Sequence, residues 1–166
     1  MAISIRTMTK EDWPAVARIY QQGIDALNCT FRRQVPAYED FDKSHSPVCR
    51  YVVEREGEII GWTALTVFCV DCPYSGVSEV SLYMDQNHRS KGVGVKLMQY
   101  LVEESEKNGF WIIIAQIFHD NPASIKMTRK CGFRDVGYHE KVARDREGNW
   151  HSLVVMERRS QLPEYN

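Results

Sequence analysis

Residues 77–98 read VSEVSLYMDQNHRSKGVGVKLM, and the apolar spacing changes within them from a period of two to a helical one. Val77 to Met84 alternate as a strand, with Glu79, Ser81 and Tyr83 on one face and Val80, Leu82 and Met84 on the other. From about Val93 to Lys107 a helix is expected, with Val95, Leu97, Met98, Leu101 and Val102 on its apolar stripe and Asn108-Gly109 as its stop. Between strand and helix stand Arg89, Lys91, Gly92 and Gly94. A glycine costs a helix about 1 kcal/mol relative to alanine, so something there needs the Cβ atoms gone. A helix N-terminus carries unpaired amides and about half a positive charge, and glycine lets a ligand approach that backbone. Arg89-Ser90-Lys91-Gly92-Val93-Gly94-Val95 therefore reads as a phosphate cradle. No G-x-x-x-x-G-K-[ST] loop occurs, and no third glycine completes G-x-G-x-x-G. Gly-x-Gly alone is equally well a solvated turn.

On the N-terminal side, ISIR (3–6) alternates as a short strand. Thr9 and Asp12 then resemble a capping box, with Pro14 tolerated in the first turn. Trp13, Val16, Ala17, Ile19, Tyr20 and Ile24 stripe a helix to about residue 27. Residues 31–46 are polar and proline-marked, with one short helix from Ala37. Residues 49–56 and 58–68 form a hairpin about Glu56-Gly57, and 68–76 form a loop. On the C-terminal side, WIIIAQIF (111–118) is continuously apolar, as expected of a strand buried on both faces. A helix follows with Asn121 as N-cap, Pro122 at its first position and Gly132 at its end. Residues 134–144 and 149–159 are two final strands. The order β-α-(α)-β-β-β-α-β-α-β-β predicts an α+β (mixed α/β) fold, with helices packed on one twisted sheet.

The chain has 166 residues, 43% of them hydrophobic, which predicts a single domain over 1–166. A net charge of −1 gives no basic field for nucleic acid. No signal, transit or bilayer-length apolar segment is recognisable, so a cytoplasmic location without membrane contact is expected. The five cysteines are read as reduced thiols; the single C-x-x-C at Cys69 and Cys72 lacks the second ligand pair of a zinc site. His88, His119, His139 and His151 show no metal spacing and are read as surface or satisfied polar residues; no metal is expected.

Arg89-Ser-Lys-Gly92-Val-Gly94 resembles the R/Q-x-x-G-x-G/A pyrophosphate loop of the GCN5-related N-acetyltransferases. Asn121-Pro-Ala-Ser124, followed by Gly132-Phe133, resembles that family's N-x-x-[AS]…G-F segment, and the element order fits from about residue 3 to 158. Within the family the chain resembles the phosphinothricin and methionine sulfone acetyltransferases through ARIYQQGI (17–24), Thr30-Phe31, residues 78–84 and residues 119–125.

The resemblance implies a central mixed sheet of about seven strands, acetyl-CoA as co-substrate, and N-acetylation of a small amine, an amino acid analogue first of all. It implies that Glu79 accepts the amine's proton, with Val80 and Ser81 at the substrate. The backbone of Leu82, Tyr83 and Met84 would hold the pantetheine arm, Arg89 and Ser90 to Val95 the pyrophosphate, Asn121 and Ser124 the arm's other side, and Lys130 the nucleotide end. A homodimer is implied, with Phe31 at a partner's pocket. Two features depart from the family. Thr128 stands where a tyrosine or histidine acid is usual, so no general acid is assigned. The loop 68–76 lacks the family's Trp-Arg pair and carries Asp71 instead. Either Arg32 or Arg33 supplies the missing cation, or Asp71 with Tyr74 receives a cationic or neutral amine. Acetylation of protein amines and a non-catalytic CoA-binding sensor remain the alternatives; the presence of Glu79 favours an enzyme over the sensor.

Overall fold

In the computed structural model, which describes residues 2–89 and 92–165, seven strands form one sheet. They are β1 (Ser4–Thr7), β2 (Tyr51–Arg55), β3 (Glu58–Val67), β4 (Val77–Met84), β5 (Ile112–Phe118), β6 (Arg134–Arg144) and β7 (Trp150–Arg159). The helices are α1 (Trp13–Asp25), α2 (Tyr38–Ser44), α3 (Val93–Lys107) and α4 (Pro122–Lys130). The strand order is β1-β2-β3-β4-β5-β7-β6, antiparallel everywhere except between β4 and β5. This is the mixed fold expected from the sequence.

Local chemistry sets the elements. The Thr9 amide donates to the Asp12 carboxylate at 2.7 Å, closing the turn ahead of α1, and Arg6 pairs with the same carboxylate at 2.8 Å. Glu56 and Gly57 both take positive φ, 53° and 80°, which gives the β2–β3 hairpin the twist its strands need. Asn121 accepts from the Ser124 amide at 3.2 Å and caps α4.

The pleat divides the core between two faces. Val53 packs with Leu97, Leu101, Ile113 and Met156 under α3 and α4, whereas its neighbour Val52 packs with Trp62, Phe41 and Ile19 under α1 and α2. Truncating a fully buried side chain such as Trp62 or Leu101 leaves a cavity costing about 2–5 kcal/mol.

Two expectations change. First, β5 is not buried on both faces: Gln116 is exposed, and Ile112 and Ile114 are half-buried. The reason is that β4 pairs with β5 only at Val77↔Ile112, Ser78↔Ile113 and Glu79↔Ile114. Beyond Glu79 the two strands part, and Gln116 borders the opening. Second, Cys69 and Cys72 are not separate thiols. Their sulfurs are bonded across a turn that brings the Cα atoms to 6.2 Å, with Asp71 at φ +56°. Cys29, Cys49 and Cys131 are free.

The end of β4 is anchored to α1 through Asp85, which is 2% exposed. Arg18 and Gln22 of α1 both donate to its carboxylate, as does the Asn87 amide at 2.9 Å. Its own amide donates to Ile60 of β3 at 2.9 Å. This network fixes where the chain enters the glycine-rich loop.

Candidate active site

The parting of β4 and β5 exposes backbone that a closed sheet would use. Ser81 O accepts from Thr63 Oγ1 at 2.9 Å and the Asp85 amide donates to Ile60, so the odd-numbered residues face β3. The alternate residues, Val80, Leu82 and Met84, therefore present their amides and carbonyls to the gap. Tyr83 lies on the other alternation: its backbone faces β3, and its ring packs on Trp62 at 4.9 Å and on Tyr20 at 4.9 Å. Of the three residues whose backbone the resemblance assigns to the cofactor, Leu82 and Met84 lie on the gap-facing alternation, and Tyr83 lines the gap without sharing that alternation.

Two joined compartments fill the gap, with volumes of about 360 and 680 Å³. Cys29, Leu82, Tyr83, Asn121, Ser124 and Met127 line both and mark the neck between them.

The smaller compartment holds Glu79, with Val80, Ser81, Phe31 and Arg32. Gln116 Nε2 donates to Glu79 Oε2 at 2.7 Å, which orients the carboxylate. Phe31 packs against Phe118 of its own chain at 4.5 Å. Burial pushes the Tyr20 phenol pKa upward, and the nearby Arg32 guanidinium opposes the shift, so that cation lies over the same end of the cleft. Thr128, 1% exposed, lines the wall where an acid is usual in the family. Cys29 donates to Gly23 O at 3.0 Å, and burial pushes its thiol pKa up to about 11, so it stays protonated and unreactive at neutral pH.

The larger compartment is lined by Arg89, Lys126 and Lys130 together with Gly92, Gly94 and Val95 at the mouth of α3. Gly92 caps α3 in the left-handed conformation, φ 75°, which disfavours any other residue. Gly94 is different. A Cβ there would meet only Met84 Cγ at 3.6 Å and Leu82 Cδ2 at 4.0 Å, ordinary contacts, so protein packing does not demand glycine. Its open side faces the compartment. Val93 begins the helix with a buried side chain. Ser90 and Lys91, assigned to the same loop by sequence, lie outside the described residues.

Arg33, Asp71 and Tyr74 are not brought to either compartment. Arg33 is exposed beside Arg32, and Tyr74 is 66% exposed in the loop that the Cys69–Cys72 bond curls back on itself. Sequence reasoning missed Gln116, Tyr20, Cys29 and His45. A signal existed for Gln116, the single polar residue inside an apolar strand. The others needed the fold.

The split sheet opens a cleft that joins a carboxylate end to a cationic, glycine-mouthed end, and such a cleft suits a small amine beside a phosphate-bearing acyl donor. The model of the Acetyltransferase (GNAT) family matches residues 7–133, and the chain belongs to that family. It is an N-acetyltransferase, and its co-substrate is acetyl-CoA. The L-methionine sulfoximine/L-methionine sulfone acetyltransferase of Pseudomonas paraeruginosa is 26% identical over 164 residues, covering 95% of this chain and 94% of that protein. The phosphinothricin N-acetyltransferase of Alcaligenes faecalis is 25% identical over 163 residues, covering 95% and 82%. A phosphinothricin acetyltransferase from Sinorhizobium meliloti, solved in complex with acetyl-CoA, has the same fold, with a TM-score of 0.86 at 24% identity, covering 96% and 89%.

Proposed function

We propose that the chain, acting as one domain, acetylates the amine of a small anionic molecule, an amino acid analogue of the phosphinothricin or methionine sulfone type. The observation that carries this reading is that Glu79 and Arg32 line one compartment. A carboxylate there suits an amine and a cation suits an anionic group, while the loop 68–76 holds no lysine or arginine. The substrates named for the two curated relatives are of the same chemical kind.

Amines with a pKa near 8 or above arrive protonated at neutral pH, so a base must act first. Glu79 fills that role, directly or through one water, while Gln116 holds its second oxygen. The gap-facing backbone of Leu82 and Met84 holds the pantetheine arm, with Asn121 and Ser124 along its other side, and one of those amides steadies charge developing on the acetyl oxygen. Arg89, the α3 mouth from Gly92 to Val95, and Lys130 receive the phosphates, together with Ser90 and Lys91. Open space and positive charge at Gly94 fit such a group. Acetyl-CoA supplies a thioester whose thiolate, of pKa about 8.5, leaves without a protein acid, which accommodates Thr128. The location follows the sequence expectation, a cytoplasmic protein; no described helix is long and apolar enough to cross a membrane.

Steady-state kinetics on phosphinothricin test the reading. Arg32→Ala should raise KM by about tenfold or more, the loss of a charge-assisted contact, and Arg33→Ala should leave it unchanged. Turnover confined to cationic amines, with Arg32→Ala silent, would overturn the substrate class and leave the acetyltransferase intact.

A further inference from the structure

His45 follows the last residue of α2, is 7% exposed, and lines the same compartment as Glu79 and Arg32. Its ring stacks on Phe41 with centroids 4.1 Å apart. Nδ1 lies 2.9 Å from Phe41 O and 3.0 Å from Ser44 Oγ. A carbonyl oxygen only accepts, so Nδ1 carries the proton, and Nε2 is left with its lone pair. That atom has no hydrogen-bond partner among the described residues. Nor is it sealed in the core, because among the described residues the buried polar side-chain atoms without partners are Arg55 Nε and Trp62 Nε1. The tautomerically fixed imidazole thus keeps an accessible Nε2 lone pair on a residue that lines the cleft.

We propose that His45 Nε2 is a specificity-determining acceptor that reads a hydrogen-bond donor on the substrate's side chain, next to the anion held by Arg32. The inference rests on the amine-acetyltransferase reading above and adds which amines the cleft prefers: those carrying an N–H or O–H at the far end, over isosteres without one. A fixed, nearly buried acceptor stays unpaired when the isostere binds, and the unpaired group lowers affinity. Burial, Arg50 and Arg32 all hold the imidazole toward its neutral, accepting form, against the Phe41 carbonyl. The charged and titratable groups around it are Arg50, which is paired with Asp42 of α2, Arg32 from the loop after α1, Tyr20 of α1, and Glu79 of β4 across the cleft.

Methionine sulfoximine and methionine sulfone form an isosteric pair, S=NH against S=O. In the wild type, kcat/KM should favour the sulfoximine by about three- to tenfold, one net hydrogen bond, with the difference in KM. His45→Asn keeps a donor where Nδ1 stands and removes Nε2; the ratio should fall to about one. His45→Gln places an amide oxygen near the Nε2 position and should restore part of the preference. Lowering the pH through the imidazole's titration should raise KM for the sulfoximine more than for the sulfone. Equal use of both compounds by the wild type, or an unchanged ratio in His45→Asn, overturns the proposal. If neither compound is acetylated, the amino-acid reading fails separately, and the same comparison is made on an amide and its ester among whichever amines turn over. Independently, ¹⁵N resonances of the wild type should report a neutral Nδ1–H imidazole at pH 7; an Nε2–H tautomer or an imidazolium contradicts the geometry.

Discussion

Gln116 donates to one oxygen of Glu79 and leaves the other for the amine, so the two side chains fail differently when replaced. Glu79→Gln should lower kcat at neutral pH by about 10²-fold, the usual contribution of a positioned base, while acetyl-CoA binds as before by calorimetry. A variant with the wild-type pH–rate profile removes Glu79 from the proton's path. Gln116→Leu keeps the base and frees its rotamers, so kcat should fall by no more than about tenfold. Glu79 was legible through the family resemblance; the alternation alone placed it on one strand face with Ser81 and Tyr83 and gave it no role. Its pairing with Gln116 was not, since residues 37 apart in sequence are brought together only by the neighbouring of β4 and β5. Arg32 and Arg33 were indistinguishable in sequence for a related reason. Their segment has no period, and only the folded loop turns one toward Tyr20 and leaves the other in solvent.

At the scale of elements, Asp85 ties β4 to α1 just before the glycine-rich loop. Burial alone would raise its pKa, but the hydrogen bonds from Arg18, the Asn87 amide, Gln22 and His88 hold it well below the ordinary carboxylate range. A carboxyl so depressed stabilises the fold above its unfolded pKa, about 3.9, and loses that contribution as pH falls through the lower, folded value. Asp85→Asn should therefore cost about 2–3 kcal/mol at pH 7 by urea unfolding, and the gap to wild type should narrow as the pH is lowered below 4. A gap that widens in acid contradicts the assignment. At the mouth of α3, Gly94→Glu should leave the fold intact, because the Cβ meets only ordinary contacts. The carboxylate would stand where phosphates belong, so acetyl-CoA affinity should drop by about tenfold or more; unchanged calorimetric affinity would refute the phosphate site. The boundaries of β4 and α3 fall where period and stop signals put them, at 77–84 and 93–107. Those signals are local. The half-exposed β5 was misread because its apolar run says nothing about β4 turning away after Glu79, and the Cys69–Cys72 bond depends on a turn with a left-handed aspartate that spacing alone does not reveal.

For the whole molecule, the expected homodimer has a candidate surface. β6 is exposed along nearly its whole length, with Val136 at 49%, Tyr138 at 53% and Val142 at 46%, an apolar strip that a second copy would cover. Light scattering at micromolar concentration should give twice the chain's 19.3 kDa, and Tyr138→Lys should lower that mass. A monomer in the wild type ends the dimer proposal without touching the chemistry, since Phe31 packs within its own chain. As proposed above, this cleft moves an acetyl group from acetyl-CoA to the amine of an anionic amino acid analogue, with Glu79 as base. Release of free CoA thiol, followed with phosphinothricin and with methionine sulfone in the wild type and in Glu79→Gln, measures it most directly. Thiol release should require both acetyl-CoA and the amine, yield the N-acetyl product by mass, and fall about 10²-fold in the variant. Equal rates in wild type and variant, or no N-acetyl product from either compound, would contradict it.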